Sequence, residues 1–145
     1  MELGAGLITT QRRPDDDRTF EAIYDEALEY TNAAEEAGLA SIWVSEHHFA
    51  DDGYLPGVMP LLGSIAAETD RIQIGSCIAL APLYDPIRLA EDAATVSLVA
   101  GGRTTLGLGA GYVDEEFERF GRLDSCLRPP HRGILLDRLD RSWVW

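Results

Sequence analysis

An α/β fold, with a parallel sheet of the (β/α) TIM-barrel type present as about four β/α units or half a barrel, is what this sequence predicts. Three observations lead there. Short apolar or β-branched runs alternate with segments whose apolar residues recur every three or four positions. No two strands are joined by a short hairpin signal, so successive strands must be linked by helical crossovers and run parallel. The run Ser41-Ile42-Trp43-Val44-Ser45-Glu46-His47-His48-Phe49 ends a buried strand in an acid, two imidazoles and an aromatic ring, where a parallel sheet keeps its chemistry. At 145 residues the chain suits one domain with a real core. A complete eight-fold barrel takes about 250 residues, so half a barrel or a small open sheet fits the length.

Leu3 to Ile8 reads as the first strand, followed by a polar loop from Thr9 to Arg18. From about Phe20 to Ala37, the residues Phe20, Ile23, Tyr24, Ala27, Leu28 and Ala34 fall on one helical face; Asp17 or Thr19 can cap its start and Gly38 its end. Ile42 to Ser45 is the second strand, and the loop Ala50 to Gly57 leads to a helix from about Met59 to Glu68. The β-branched content of Ile72 to Leu80 marks the third strand. Asp85-Pro86 opens the next helix, with Asp as N-cap and Pro at the first helical position, and Gly101-Gly102 closes it before a fourth strand from Arg103 to Gly109. Asp114-Glu115-Glu116 starts a further helix, where acids complement the positive end of the helix dipole.

After Gly121 the text changes. Residues 122–145 contain Pro129-Pro130, several arginines and a terminal Trp143-Val144-Trp145 without an amphipathic period, so the chain divides into β/α units over 1–121 and an atypical tail. The expected fifth unit is absent, as in a truncated or altered reading of a longer gene.

Hydrophobic residues make up 46% of the chain and charged ones 26%, an ordinary globular composition. The net charge of −13 argues against nucleic acid or an anionic membrane as partner, since both reward clustered Lys and Arg. The N-terminus lacks a basic leader with a long apolar core, and no apolar run approaches the ~20 residues that span a bilayer, so a cytoplasmic protein is expected. Cys77 and Cys126 lack CxxC spacing, which disfavours a metal site or redox pair; Cys77 is expected in the core.

Side chains alternate along a strand, so Trp43, Ser45 and His47 share one face, and Ile42, Val44 and Glu46 the helix-packed one. His47 is expected to point into the barrel mouth and His48 away from it, a divergence that disfavours one shared metal ion. His47 is either a hydrogen-bonded structural residue or a group that exchanges protons near neutral pH. On the fourth strand, Gly107, Gly109 and Gly111 either let a flat ligand approach the backbone or relieve crowding inside a barrel. They lie on the strand itself, so the dinucleotide fingerprint they partly match is weak.

Taken together, these residues resemble the luciferase-like monooxygenase family, which includes bacterial luciferase and deazaflavin-dependent oxidoreductases. The matching pieces are Ala37-Gly38-Leu39 with Ile42-Trp43-Val44 and Glu46-His47-His48-Phe49, Ile74-Gly75-Ser76, and Ala81-Pro82-Leu83-Tyr84-Asp85-Pro86 with Leu89-Ala90-Glu91-Asp92. Gly101-Gly102-Arg103, Gly107-Leu108-Gly109-Ala110-Gly111-Tyr112 and Glu116-Phe117-Glu118-Arg119-Phe120-Gly121 follow in register. The resemblance implies a (β/α)₈ barrel holding FMN or a deazaflavin (coenzyme F-420) at the C-terminal ends of its strands. It also implies monooxygenation with oxygen, or hydride exchange with deazaflavin, on a small-molecule substrate. His47 matches the family's active-site histidine. Ser76, Cys77 and Ile78 match the strand end beside the isoalloxazine ring, often with a cis peptide. Ala110, Gly111 and Tyr112 match the strand end that borders the cofactor, with Ala110 where bacterial luciferase carries a phosphate-binding arginine. No metal is implied.

Two further readings stand beside the enzyme. One is a non-catalytic half-barrel whose exposed edges self-associate into a homo-oligomer. The other is a metal-dependent hydrolase on the same barrel, disfavoured by the divergence of His47 and His48.

Overall fold

Each β/α unit is closed by a local signal that the sequence carries. The computed structural model describes residues 2–122 and the backbone of 134–136. Strand β1 (Gly4–Ile8) is followed by helix α1 (Phe20–Glu36), whose Thr19 side chain accepts the N–H of Ala22. Thr19 rather than Asp17 is thus the cap, and Gly38, at φ +77°, lets the chain turn out of the helix. Strand β2 (Ser41–Val44), helix α2 (Val58–Glu68) and strand β3 (Gln73–Leu80) come next. After a 3-10 turn (Ala81–Leu83), helix α3 (Pro86–Val99) starts with Asp85 accepting the N–H groups of Ile87 and Arg88. Strand β4 (Thr104–Gly109) and the short helix α4 (Asp114–Arg119) complete the fourth unit.

The sheet order is β1-β2-β3-β4, every pair parallel, so the structure bears out the parallel α/β expectation with four strands of a partial barrel. A fifth strand, β5 (Ile134–Leu136), runs antiparallel against β4, pairing Leu106 with Leu136 and Leu108 with Ile134. The sequence signalled no element in that region. Residues 123–133 and 137–145 lie outside the described residues, and with them Cys126, Pro129-Pro130 and the terminal tryptophans.

One sheet face carries Ile42, Val44, Ile74 and Leu106, which pack with Ala27 and Ala34 of α1, Leu62 and Ile65 of α2, and Leu89, Ala93 and Val96 of α3. Ile42, Val44, Leu62 and Ile65 are fully buried, and burying each such side chain contributes about 1.5–3 kcal/mol. On the other face Trp43 lies against Gly75, where an added Cβ would strike its ring.

The N-terminal ends of the strands are braced by two side chains. Glu35 accepts the N–H groups of Arg71 and Ile72 at 2.6 and 2.8 Å, and that of Asp70 at 3.1 Å. Burial alone would raise the Glu35 carboxyl, but the N–H groups of Ile72, Arg71 and Asp70 outweigh it and hold the group below the ordinary carboxylate range. Arg103 donates to the carbonyls of Ile72, Thr69 and Ala66, satisfying the end of α2 and the turn after it. In a β/α architecture this end serves stability, which leaves the opposite end for chemistry.

Candidate functional site

At the C-terminal end of β2 the two histidines diverge, as alternation requires. His47 Nδ1 lies 3.0 Å from Glu116 Oε1 on α4, and the His48 backbone N–H donates to the same oxygen at 2.8 Å. His48 Nε2 turns the other way, 2.7 Å from Glu46 Oε1. Both acids are almost wholly buried, Glu46 at 2% and Glu116 at 1% exposure.

A carboxylate accepts, so in the neutral ring of His47 the hydrogen sits on Nδ1 toward Glu116 and the lone pair on Nε2. Nε2 faces the Tyr112 hydroxyl at 3.4 Å, and the ring stands edge-on to Tyr54 and Tyr112, with centroids 4.8 and 5.6 Å away. The His47 N–H donates to the Leu55 carbonyl at 3.1 Å, and the Leu55 N–H to that of Thr9 at 2.7 Å, which ties the strand end to the loop after β1. The His47 side chain remains 24% exposed, so one nitrogen is fixed from below and the other is open to a proton donor or acceptor above.

The sequence places Glu116 in an acidic run at a helix start and in a stretch that resembles the family, without a role in the site. The structure corrects that: Glu116 and Phe117 turn inward together while Asp114 and Glu115 stay exposed. Glu116 Oε2 has no hydrogen-bond partner among the described residues, leaving one buried acceptor unused beside the histidine.

The third-strand residues divide. Ser76 is fully buried, and its hydroxyl donates to the Gly107 carbonyl at 2.9 Å and accepts the Gly107 N–H at 3.0 Å. Its hydroxyl is thus engaged by the backbone of β4. The β3–β4 register shifts between Ser76 and Ala79, and the Cys77–Ile78 peptide is cis. Cys77 is a free, exposed thiol, which corrects its expected place in the core. Ile78 is half-buried and lies over Gly107 and Gly109, so the room those glycines leave is filled by the neighbouring strand's side chain rather than by open space.

At the fourth-strand end, Ala110 is half-buried and Tyr112 is 69% exposed, while Gly111 at φ +73° brings the backbone against Phe117. Leu80 pairs with Gly109, so the ends of β3 and β4 sit side by side, and Tyr112, just beyond β4, lies against His47. Sequence reasoning missed two tyrosines: Tyr54 against His47, and Tyr84, whose hydroxyl donates to Glu46 at 2.9 Å. Burial, reinforced by the Glu46 charge, pushes the Tyr84 phenol well above its ordinary range.

Among the described residues no group of three or more His, Cys, Asp or Glu is arranged to hold a metal ion. No helix there is long and apolar enough to cross a membrane.

Comparison with known proteins gives a consistent result. The oxygenating constituent of 3,6-diketocamphane monooxygenase from Pseudomonas putida, solved with FMN, superposes with a TM-score of 0.76 at 26% identity, over 83% of this chain and 32% of that one. The oxygenase component of the flavin-dependent trigonelline monooxygenase of Acinetobacter baylyi is 30% identical over 78% of this chain and 31% of its own. The F420-dependent glucose-6-phosphate dehydrogenase of Amycolatopsis mediterranei is 38% identical over 66% of this chain and 30% of its own. The chain thus spans about a third of the length of such relatives. The family model described as luciferase-like monooxygenase matches residues 1–134. A four-stranded parallel β/α sheet with a carboxylate-held histidine at its strand ends, matched over nearly its whole length, belongs to the luciferase-like monooxygenase family.

Proposed function

We propose that this chain carries the cofactor-facing β/α half of an oxidoreductase that uses FMN or a deazaflavin. It would act on a small-molecule substrate, as a monooxygenase with oxygen or by hydride exchange with deazaflavin, with His47 as the proton-transfer residue. The observation that carries this reading is the His47–Glu116 pair: Nδ1 is held at 3.0 Å by a buried carboxylate and Nε2 faces the exposed rim. A general acid or base needs that arrangement, one nitrogen fixed and the other free at the reacting side.

The residues present suit a flat ring system, since Ile78, lying over Gly107 and Gly109, would give the rim an apolar floor. The bound cofactor would supply the redox chemistry that no side chain here supplies. Ile78, Cys77, Ala110, Gly111 and Tyr112 would border its ring, while the Ser76 hydroxyl ties β3 to β4 through Gly107. His47 would hold or release a proton at Nε2, with the Tyr112 hydroxyl as its neighbour.

A second reading, a half-barrel that self-associates without catalysis, is favoured by one observation. The outer edge of β1 is unpaired among the described residues, and Leu3 and Leu7 beside it are 57% and 51% exposed.

Titrating the purified chain with FMN and with deazaflavin, following fluorescence while sizing the protein, separates the two. Saturable binding of one cofactor supports the oxidoreductase. A folded oligomer that binds neither supports the second reading.

A further inference from the structure

The proposed function leaves Glu46 unused, yet it is the most heavily bonded side chain at this end of the sheet. Its Oε1 accepts from His48 Nε2 at 2.7 Å and from the Tyr84 hydroxyl at 2.9 Å, and its Oε2 accepts the Leu80 N–H at 2.7 Å. Burying a carboxylate costs several kcal/mol unless its lone pairs are filled, so three donors converging on one acid mark a built arrangement.

The donors lead to the two halves of the site. Leu80 closes the stretch of β3 that begins at the Ser76 irregularity and contains Cys77 and Ile78, so the Leu80 bond fixes the far end of the apolar floor. His48 is anchored by its ring to Glu46, and its backbone N–H donates to the Glu116 oxygen that also holds His47. The His48 ring is further seated edge-on against Phe120 of the segment that follows Glu116, with centroids 4.7 Å apart.

We propose that Glu46 is a positioning residue that sets the floor formed by Ile78 and the proton-transfer ring of His47 relative to each other, through Leu80 on one side and His48 on the other. Glu46 touches neither cofactor nor reacting atoms. It acts through two separable branches, and those branches predict different losses. This rests on the reading of the site as a flavin or deazaflavin site, but its His47 branch can be measured without cofactor.

The test uses the whole chain with Glu46→Gln and His48→Phe. Glu46→Gln replaces two acceptor oxygens by one oxygen and an N–H₂, so the donors of the two branches, His48 Nε2 and the Leu80 N–H, compete for a single acceptor and both branches loosen; His48→Phe removes only the His48 branch and keeps a ring against Phe120. In the wild type, ¹⁵N shifts of the His47 imidazole should report a single Nδ1–H tautomer. Glu46→Gln is expected to weaken FMN or deazaflavin binding about tenfold, the equivalent of one hydrogen bond to a charged acceptor, and to mix the His47 tautomers. His48→Phe is expected to mix the tautomers and to leave cofactor affinity within about threefold of wild type, since the Leu80 branch is intact.

A folded Glu46→Gln protein with lowered melting temperature but unchanged affinity and a single His47 tautomer has lost only stability, and that outcome overturns the proposal. If Glu46→Gln does not fold, a single tautomer in folded His48→Phe overturns it. If the wild type binds neither cofactor, the proposed function fails, and the His47 nitrogen shifts in Glu46→Gln alone decide whether Glu46 positions that ring.

Discussion

Glu116 Oε1 stands 3.0 Å from His47 Nδ1 across a sequence separation of 69 residues, and the same oxygen takes the His48 N–H at 2.8 Å. A single buried oxygen thus fixes both the ring and the backbone of the strand end that delivers it. Removing it should be costly, because two donors lose their partner at once.

Glu116→Ala is expected to lower stability by about 1–3 kcal/mol, the cost of leaving buried donors unsatisfied. Glu116→Gln keeps an acceptor oxygen and should cost less. Urea denaturation of the two variants beside the wild type checks the order, and equal losses would show that the oxygen is not what matters.

His47→Ala should still fold, since its backbone bond to Leu55 does not depend on the side chain, but at a cost of about 1–3 kcal/mol because the buried Glu116 carboxylate loses one of its two donors. Proton transfer should fall by about 10²–10⁴-fold. The rate of cofactor oxidation under turnover is the measurement, with cofactor affinity as the control. A rate near wild type would remove His47 from the mechanism.

Glu35 predicts an acid-sensitive brace. Its folded-state carboxyl lies below the ordinary value of 4.5, so its contribution is fully present above that value and is lost as pH falls through the lower folded one. The stability gap between wild type and Glu35→Gln, measured by urea midpoints, should be widest near neutrality and narrow steadily below about pH 4. A gap that widens with acid would reverse the sign and exclude this explanation.

Gly107→Ala and Gly109→Ala should differ. A Cβ at Gly107 meets the Ser76 carbonyl, backbone that cannot move without breaking the β3–β4 ladder, whereas one at Gly109 meets the flexible end of Ile78. Thermal denaturation should show a loss of about 2 kcal/mol or more for Gly107→Ala and a smaller one for Gly109→Ala. The Gly109 variant should show its main effect on cofactor affinity, because it pushes Ile78 toward the rim.

Local chemistry wrote most of the fold. Asp85 with Pro86, Gly38, and the β-branched third strand each act within a few residues, so their meaning survives without a structure. The strand parity that separates His47 from His48 is equally local. What stayed hidden depends on long-range contact. Glu116 looks like helix-dipole chemistry until its short helix is docked under β2, and Cys77 looks like core from its apolar neighbours, yet its thiol is exposed in the fold. Ser76 has the right place in the chain to touch a ligand, yet its hydroxyl is spent on Gly107. The antiparallel pairing of Ile134–Leu136 with β4 joins segments that no local pattern relates.

That short antiparallel strand makes the two margins of the sheet unequal. The β4 margin is occupied by β5 over three residues, while the β1 margin is bare among the described residues. Head-to-tail stacking of copies into an open filament needs two complementary free margins on each molecule, whereas a two-fold pair needs only one. Among the described residues β5 has a neighbour on one side only, so it does not close the sheet; it shortens the second margin to three residues and reverses its direction, which leaves the five-residue β1 the longer of the two.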